Sequence, residues 1–173
     1  MPETALKNIS FTATLDRFNS NLWTFHIAVP KNIAAKFQDK KISRVVCTLN
    51  KTLTFQCAIM PAGNGIHFIN INKKIRDQLN LKPGSKVSAS LSEDDSKYGL
   101  PLPEELEAVM MQDKAGNKFF HALTPGKQRT LLNIVSQPKN PDLRIKRALV
   151  IMEHLKQTKG KLNYRELNRM MKS

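Results

Sequence analysis

Ile27-Ala28-Val29-Pro30-Lys31-Asn32-Ile33 and Ile69-Asn70-Ile71-Asn72-Lys73-Lys74-Ile75 read as two copies of one phrase, 42 residues apart. The spacing continues without a gap: Phe37 matches Leu79, Arg44 matches Lys86, Val45 matches Val87, Cys47 matches Ala89 and Leu49 matches Leu91. Upstream, Phe11-x-Ala13-x-Leu15 and Leu53-x-Phe55-x-Cys57-x-Ile59 stand at the same offset, so the duplicated units span about 11–50 and 53–92. Each copy predicts a strand, a short helix and a second strand. Residues 22–29 and 66–71 run apolar or alternate as strands do, and Ile33/Phe37 and Ile75/Leu79 are i, i+4 pairs on a helical turn. Val45-x-Cys47-x-Leu49 and Val87-x-Ala89-x-Leu91 alternate with period two. Lys82-Pro83-Gly84-Ser85 supplies a turn in the second copy, where the first has Asp39-Lys40-Lys41. One such unit has a single apolar face and open strand edges, and two related by a pseudo-two-fold seal both into a barrel.

The second half reads as helices. A linker rich in acids and prolines, Glu93 to Pro103, separates the halves. Pro103 suits a first helical position, with Glu104 and Glu105 complementing the dipole of a helix that runs to about Met111. An amphipathic piece begins at Lys118. Thr124-Pro125 reads as an N-cap and first-turn proline for a helix to Ser136, broken by Pro138 and Pro141. The longest helix is predicted over 141–157, with Ile145, Leu149, Met152 and Leu155/Lys156 on one side. Gly160 ends the connection, and Asn163-x-x-Glu166 is a capping box for a last short helix. The expected fold is α+β: a small duplicated barrel over 8–95 followed by a C-terminal all-α domain over 96–173.

Charge is the strongest compositional signal. The 173 residues hold 28 Lys+Arg against 14 Asp+Glu, a net of +14. From Lys114 to Ser173, 14 basic residues face three acids (Asp142, Glu153, Glu166). Such a balance favours polyanions, nucleic acid among them, while simple solubility is the competing explanation. No apolar stretch approaches the length of a membrane span, and the start of the chain lacks the pattern of a signal peptide, so a cytoplasmic location is expected. Cys47 and Cys57 sit in apolar strand-like runs and read as two buried thiols. With four histidines and no close Cys or His pairs, no structural metal site, catalytic constellation or cofactor is expected. Trp23, Phe25, Phe55 and Phe68 read as core.

Val29-Pro30-Lys31-x-Ile33 and Lys82-Pro83-Gly84-Ser85-Lys86-Val87 resemble segments of the swapped-hairpin, double-split barrels of AbrB/MazE-type regulators and antitoxins. Those proteins build the barrel from two chains, whereas here both halves lie in one. A closer likeness is to a bacterial family of unknown function that joins such a one-chain barrel to a bacteriocin-protection, YdeI/OmpD-associated helical domain. The barrel likeness rests on Phe11-Thr12-Ala13, Trp23-x-Phe25, Val29-Pro30-Lys31, Met60-Pro61-x-Gly63-x-Gly65-x-His67 and Asn72-Lys73. The helical likeness rests on Phe119-Phe120-x-x-Leu123-Thr124-Pro125-Gly126-Lys127-Gln128-Arg129, Lys139, Arg144 and Arg147. The chain departs from the family pattern at Ile134, Pro138 and Leu143. The likeness implies a double-split barrel and a helical appendage; it implies no chemistry.

Candidate sites follow. Lys127 and Arg129 lie at a helix start, where free N–H groups also attract anions. Arg144 and Arg147 share a face, and Lys139 lies on the intervening turn. Together they read either as a phosphate-holding patch or as a solvated face whose arginines pair with Glu104, Glu105 and Glu107 across the domain junction. Lys31 and Lys73 occupy equivalent strand-to-helix turns, where the AbrB-like dimers present basic loops to DNA. Gly63 and Gly65 read as a tight hairpin, with His67 beside it as a possible ligand contact. The reading is therefore a non-enzymatic binder of nucleic acid or another polyanion, acting as a monomer or weak dimer. The alternatives are a protein-interaction or stress-protection module and a small-ligand barrel.

Overall fold

A computed structural model describes residues 4–19 and 25–173. It divides the chain into two compact units, Met1–Gly99 and Leu100–Ser173. Trp23 and the start of its predicted strand lie outside the described residues. The first unit comprises β1 (Ile9–Arg17), β2 (Phe25–Val29), α1 (Lys31–Asp39), β3 (Arg44–Leu49), β4 (Leu53–Ala58), β5 (Met60–Gly63), β6 (Ile66–Asn70), α2 (Lys73–Gln78) and β7 (Lys86–Glu93). The second is helical, so the class is α+β.

The seven strands form a curled antiparallel half-barrel in the order β4-β3-β7-β1-β2-β6-β5. Two segments divide their pairing between neighbours. Residues Ile9–Thr14 of β1 pair with β7, and Leu15–Arg17 pair with β2. Residues Leu53–Ala58 pair with β3 and, past Ile59 alone, Met60–Gly63 pair with β6. Ile27 faces Ile69 across β2 and β6, and Thr48 faces Ser90 across β3 and β7. Alternation carries Leu15, Val45, Cys47, Leu49, Val87, Ala89 and Leu91 to the interior, where Ile27, Ile69 and the helix residues Ile33, Phe37 and Ile75 meet them. Each large apolar side chain so buried contributes about 1.5–3 kcal/mol against unfolding. Asn50, Lys51 and Thr52 make the three-residue turn from β3 to β4, with Asn50 and Lys51 at positive φ.

The linker is less free than its composition suggests. Gln56 donates to Asp94 Oδ2 and Ser96 Oγ, each at 2.9 Å, and Arg44 Nη2 donates to the Gly99 carbonyl at 2.6 Å. These bonds draw residues 94–99 onto β3 and β4, which carries the first unit past the expected end at 95.

The second unit holds α3 (Glu104–Gln112), α4 (Lys114–Ala122), α5 (Pro125–Ser136), α6 (Pro141–Gln157) and α7 (Tyr164–Lys172). Three expectations need correction. Pro103 is the N-cap of α3 rather than its first residue. The helix expected from Lys118 begins at Lys114, because the Asp113 carboxylate accepts from the Gly116 N–H and caps it. The inward face of α6 is Ala148, Ile151, Met152 and Leu155, while Ile145 and Leu149 are exposed. The caps at Thr124 and Asn140 fall where the sequence puts them. Among the described residues no helix is long and apolar enough to cross a membrane.

The expected capping box at α7 is only half made. Asn163 Oδ1 accepts from the Glu166 N–H, but the Glu166 carboxylate binds Arg169 instead of reaching back. The Asn163 N–H donates to Nε2 of His154, which is fully buried on α6. Burial holds the His154 pKa below its ordinary value of 6.5, and the Glu166 charge opposes this only in part. The unfolded chain therefore binds more protons than the folded one in this range. Stability from His154 is present above about pH 6.5 and is lost as pH falls through that value toward the folded pKa. The Tm of the protein should fall between about pH 7 and pH 5, and H154Q should flatten that slope in a series of melts. An unchanged slope would remove His154 from this role.

Candidate functional site

The five predicted basic residues of the helical unit do not gather at one place. Lys127 is exposed on the first turn of α5, and Arg129 is half-buried beside it. Arg144 and Arg147 reach the other end of that helix. Arg144 donates through Nε to the Pro138 carbonyl at 2.7 Å and through Nη2 to the Ser136 carbonyl at 3.0 Å, with Glu105 at 3.8 Å. Arg147 donates to the Ile134 carbonyl at 2.7 Å and to Gln137 Oε1 at 3.2 Å. The last carbonyls of a helix lack partners of their own, and these two arginines supply them. At about 1.5 Å of rise per residue, the ends of α5 stand some 14 Å apart between Lys127 and Ser136. The Glu105 contact lies within the helical unit, not across a domain junction. Lys139 is exposed on the turn after α5.

A different set of basic residues lies around one tertiary contact. A Cβ placed on Gly160 would lie 3.1 Å from Phe119 Cδ1, so the α6–α7 turn rests against α4. That contact brings the turn carrying Lys159 and Lys161, which flank Gly160, to the helix that carries Lys118, and Arg165 follows on the first turn of α7. All four are exposed, and none makes an ion pair among the described residues. Gln128 meanwhile donates to the Phe120 and Leu123 carbonyls at 3.3 and 3.2 Å, fastening the start of α5, with Lys127, to the end of α4. The nearby acids are already engaged. Lys156 lies 2.8 Å from Asp113 and 3.4 Å from Glu153, and Arg169 pairs with Glu166. The hydrogen bond from Lys156 holds Asp113 below the usual carboxylate range, and that from Arg169 does the same for Glu166. The sequence signal for this cluster, Lys159-Gly160-Lys161, was visible but passed as a connection.

In the first unit, Lys31 and Lys73 open α1 and α2 and are both exposed; Lys73 pairs with Asp77 at 2.7 Å. Gly63 and Gly65 hold φ of +88° and +74° in the β5–β6 hairpin, with open space where their side chains would be. The positive φ values are what call for glycine in this turn. His67 lies within hydrogen-bond distance of Gln38 and lines a cleft against α1. The cysteines are free, with Cys47 buried and Cys57 half-buried. Its hydrogen bond with Cys47 and its burial push the Cys57 thiol far up, so it is no ready nucleophile. Among the described residues no group of three or more His, Cys, Asp or Glu is placed to hold a metal ion.

The chain is thus a two-unit α+β protein, a curled antiparallel half-barrel followed by a five-helix unit. Residues 11–91 match the family model "Domain of unknown function (DUF1905)", and residues 100–158 match "Bacteriocin-protection, YdeI or OmpD-Associated". The two matches in tandem support a two-domain family of unknown function. None of the curated proteins compared with the chain matches it.

Proposed function

We propose that the protein is a non-enzymatic binder of polyanions, nucleic acid in the first place, acting through the helical unit. The feature that carries this reading is the exposed set Lys118, Lys159, Lys161 and Arg165 on α4, the α6–α7 turn and α7, none in an ion pair among the described residues, while Glu166 is paired with Arg169 and Asp113 and Glu153 share Lys156. Lys127 and Arg129 extend it along the start of α5, and Lys139 adds charge at the far end. Arg144 and Arg147 support it indirectly by holding α5. Each phosphate neutralised releases counterions, so affinity must fall with salt. Fluorescence anisotropy with a labelled oligonucleotide should give a log–log salt slope of about −3 or steeper, and the K159E/K161E double variant should lose about two units of it. No binding at low salt ends the reading.

We propose also that the first unit is a duplicated, pseudo-two-fold double-split barrel of the AbrB/MazE kind, with Lys31 and Lys73 as counterparts. The strand registers support it. Ile27 and Ile69 face each other, as do Thr48 and Ser90, and each pair is 42 residues apart. The Arg17–Phe25 pair of β1 and β2 has its counterpart in Pro61–His67 of β5 and β6. The bond from Leu15 N to Ser85 O recurs as Ile59 N to Ser43 O, at 2.8 and 2.9 Å. These matches move the first-strand correspondence by two residues: Phe11, Ala13 and Leu15 answer to Phe55, Cys57 and Ile59, because seven residues separate Arg17 from Phe25 and five separate Pro61 from His67. The inward face is unchanged by an even shift. On this reading the continuous β4–β5 segment closes the barrel by passing from β3 to β6.

A further inference from the structure

α6 carries two apolar stripes, and only one is covered within the helical unit. Ala148, Ile151, Met152 and Leu155 face inward, whereas Ile145 and Leu149, one helical turn apart, keep 42% and 54% of their surface exposed. With Ala108 and Val109 these two line a groove of about 830 Å³ between α3 and α6. Leu149 also borders a second recess of about 470 Å³ against α7, together with Val150 and Met170. Every residue lining the two belongs to the helical unit. Adjacent exposed aliphatic side chains along recesses of this size mark a surface that another protein covers.

The charges around the groove point to the partner. At one end Glu104 opens α3, and at the other Lys114 opens α4. Both are exposed, and neither makes an ion pair among the described residues. The remaining rim charges are engaged. Glu105 stands 3.8 Å from Arg144, and Asp113 stands 2.8 Å from Lys156, which Glu153 shares at 3.4 Å. At about 1.5 Å of rise per residue, the two unpaired charges lie some 15 Å apart along the groove. An apolar centre with an acid at one end and a base at the other is complementary to itself. A two-fold axis through the centre lays Glu104 of each copy against Lys114 of the other and joins the two Ile145–Leu149 stripes. A rim of one sign would have repelled a second copy.

We infer that the α3–α6 groove is the interface of a homodimer, in which two helical units meet antiparallel with Ile145 and Leu149 at the centre and a Glu104–Lys114 pair at each end. Sedimentation equilibrium of the full-length protein tests this. The protein should dimerise with a dissociation constant of about 100 µM or tighter, and a monomer up to about 1 mM overturns the proposal. L149E, at an exposed position, should abolish the dimer without altering the fold seen by circular dichroism; a dimer that survives it is joined elsewhere and overturns the proposal too. E104K and K114E each set like charges together at both ends and should weaken association about tenfold. The E104K/K114E double variant reverses both pairs and should return to within about threefold of the unaltered protein. General repulsion between two basic chains would instead make K114E associate more tightly. That result, or a double variant no better than the singles, overturns the proposal. Should E104K fail to fold, K114E and L149E carry the test, since both replace exposed side chains.

Discussion

Replacing Ile27 or Ile69 by alanine should cost the first unit about 2–5 kcal/mol in either case, and nearly the same in both. The two side chains are fully buried and face each other across β2 and β6. Truncating either removes the same methyl groups from the same interior and leaves a void the other side chain must border. Because the voids would merge, the double variant should lose less than the sum of the singles. Urea unfolding followed by the β-sheet signal in circular dichroism reads this. A loss below about 1 kcal/mol at one position beside more than about 3 at the other would mean that the two residues do not occupy equivalent surroundings.

Arg144→Met should destabilise the helical unit by about 2–3 kcal/mol while leaving oligonucleotide affinity at fixed salt unchanged. Its guanidinium satisfies the Ser136 and Pro138 carbonyls from one planar fork, and the side chain is about a third exposed, so solvent softens the loss. For a unit of this size the cost amounts to a Tm drop of roughly 10 °C or more. Arg144→Lys should recover little, because an ammonium cannot bridge both carbonyls in that geometry. K159E/K161E should behave in the opposite way, with affinity lost and melting little changed. If Arg144→Met weakens binding as strongly as the Lys159/Lys161 pair does, the arginine touches the polyanion itself.

Much of the architecture was legible in the residues, for identifiable reasons. The bounds of α6 come from Asn140-Pro141 at one end and Gly160 beyond the other, strong local signals that tertiary packing did not override. Strand alternation at Val45, Cys47 and Leu49 and at Val87, Ala89 and Leu91 placed the interior correctly. The inward face of α6 was not legible, because the helix carries two apolar stripes. Ile145 and Leu149 fit the helical period as well as Ala148, Ile151 and Leu155 do, and only the neighbours of α6 choose between them. The start of α4 was missed because its signal is a single capping carboxylate in a polar run. The roles of Arg144 and Arg147 were hidden because their partners are backbone carbonyls, which no residue letter reports. The approach of the Lys159–Lys161 turn to the helix that carries Lys118 depends on Phe119 meeting Gly160, a contact between segments some forty residues apart.

The pairing of β1 with β7 has a consequence for how the chain is made. Ile9 must wait for Leu91, and Thr14 for Lys86, before the first strand gains its neighbour on that edge. A ribosome has therefore to release about half of the protein while Phe11, Ala13 and Leu15 stay uncovered. The helical unit is built from contacts between segments closer in sequence, which form faster once synthesised. The part translated first thus completes its structure under the slower clock, and a nascent chain spends its most adhesive interval before the basic half has left the exit tunnel.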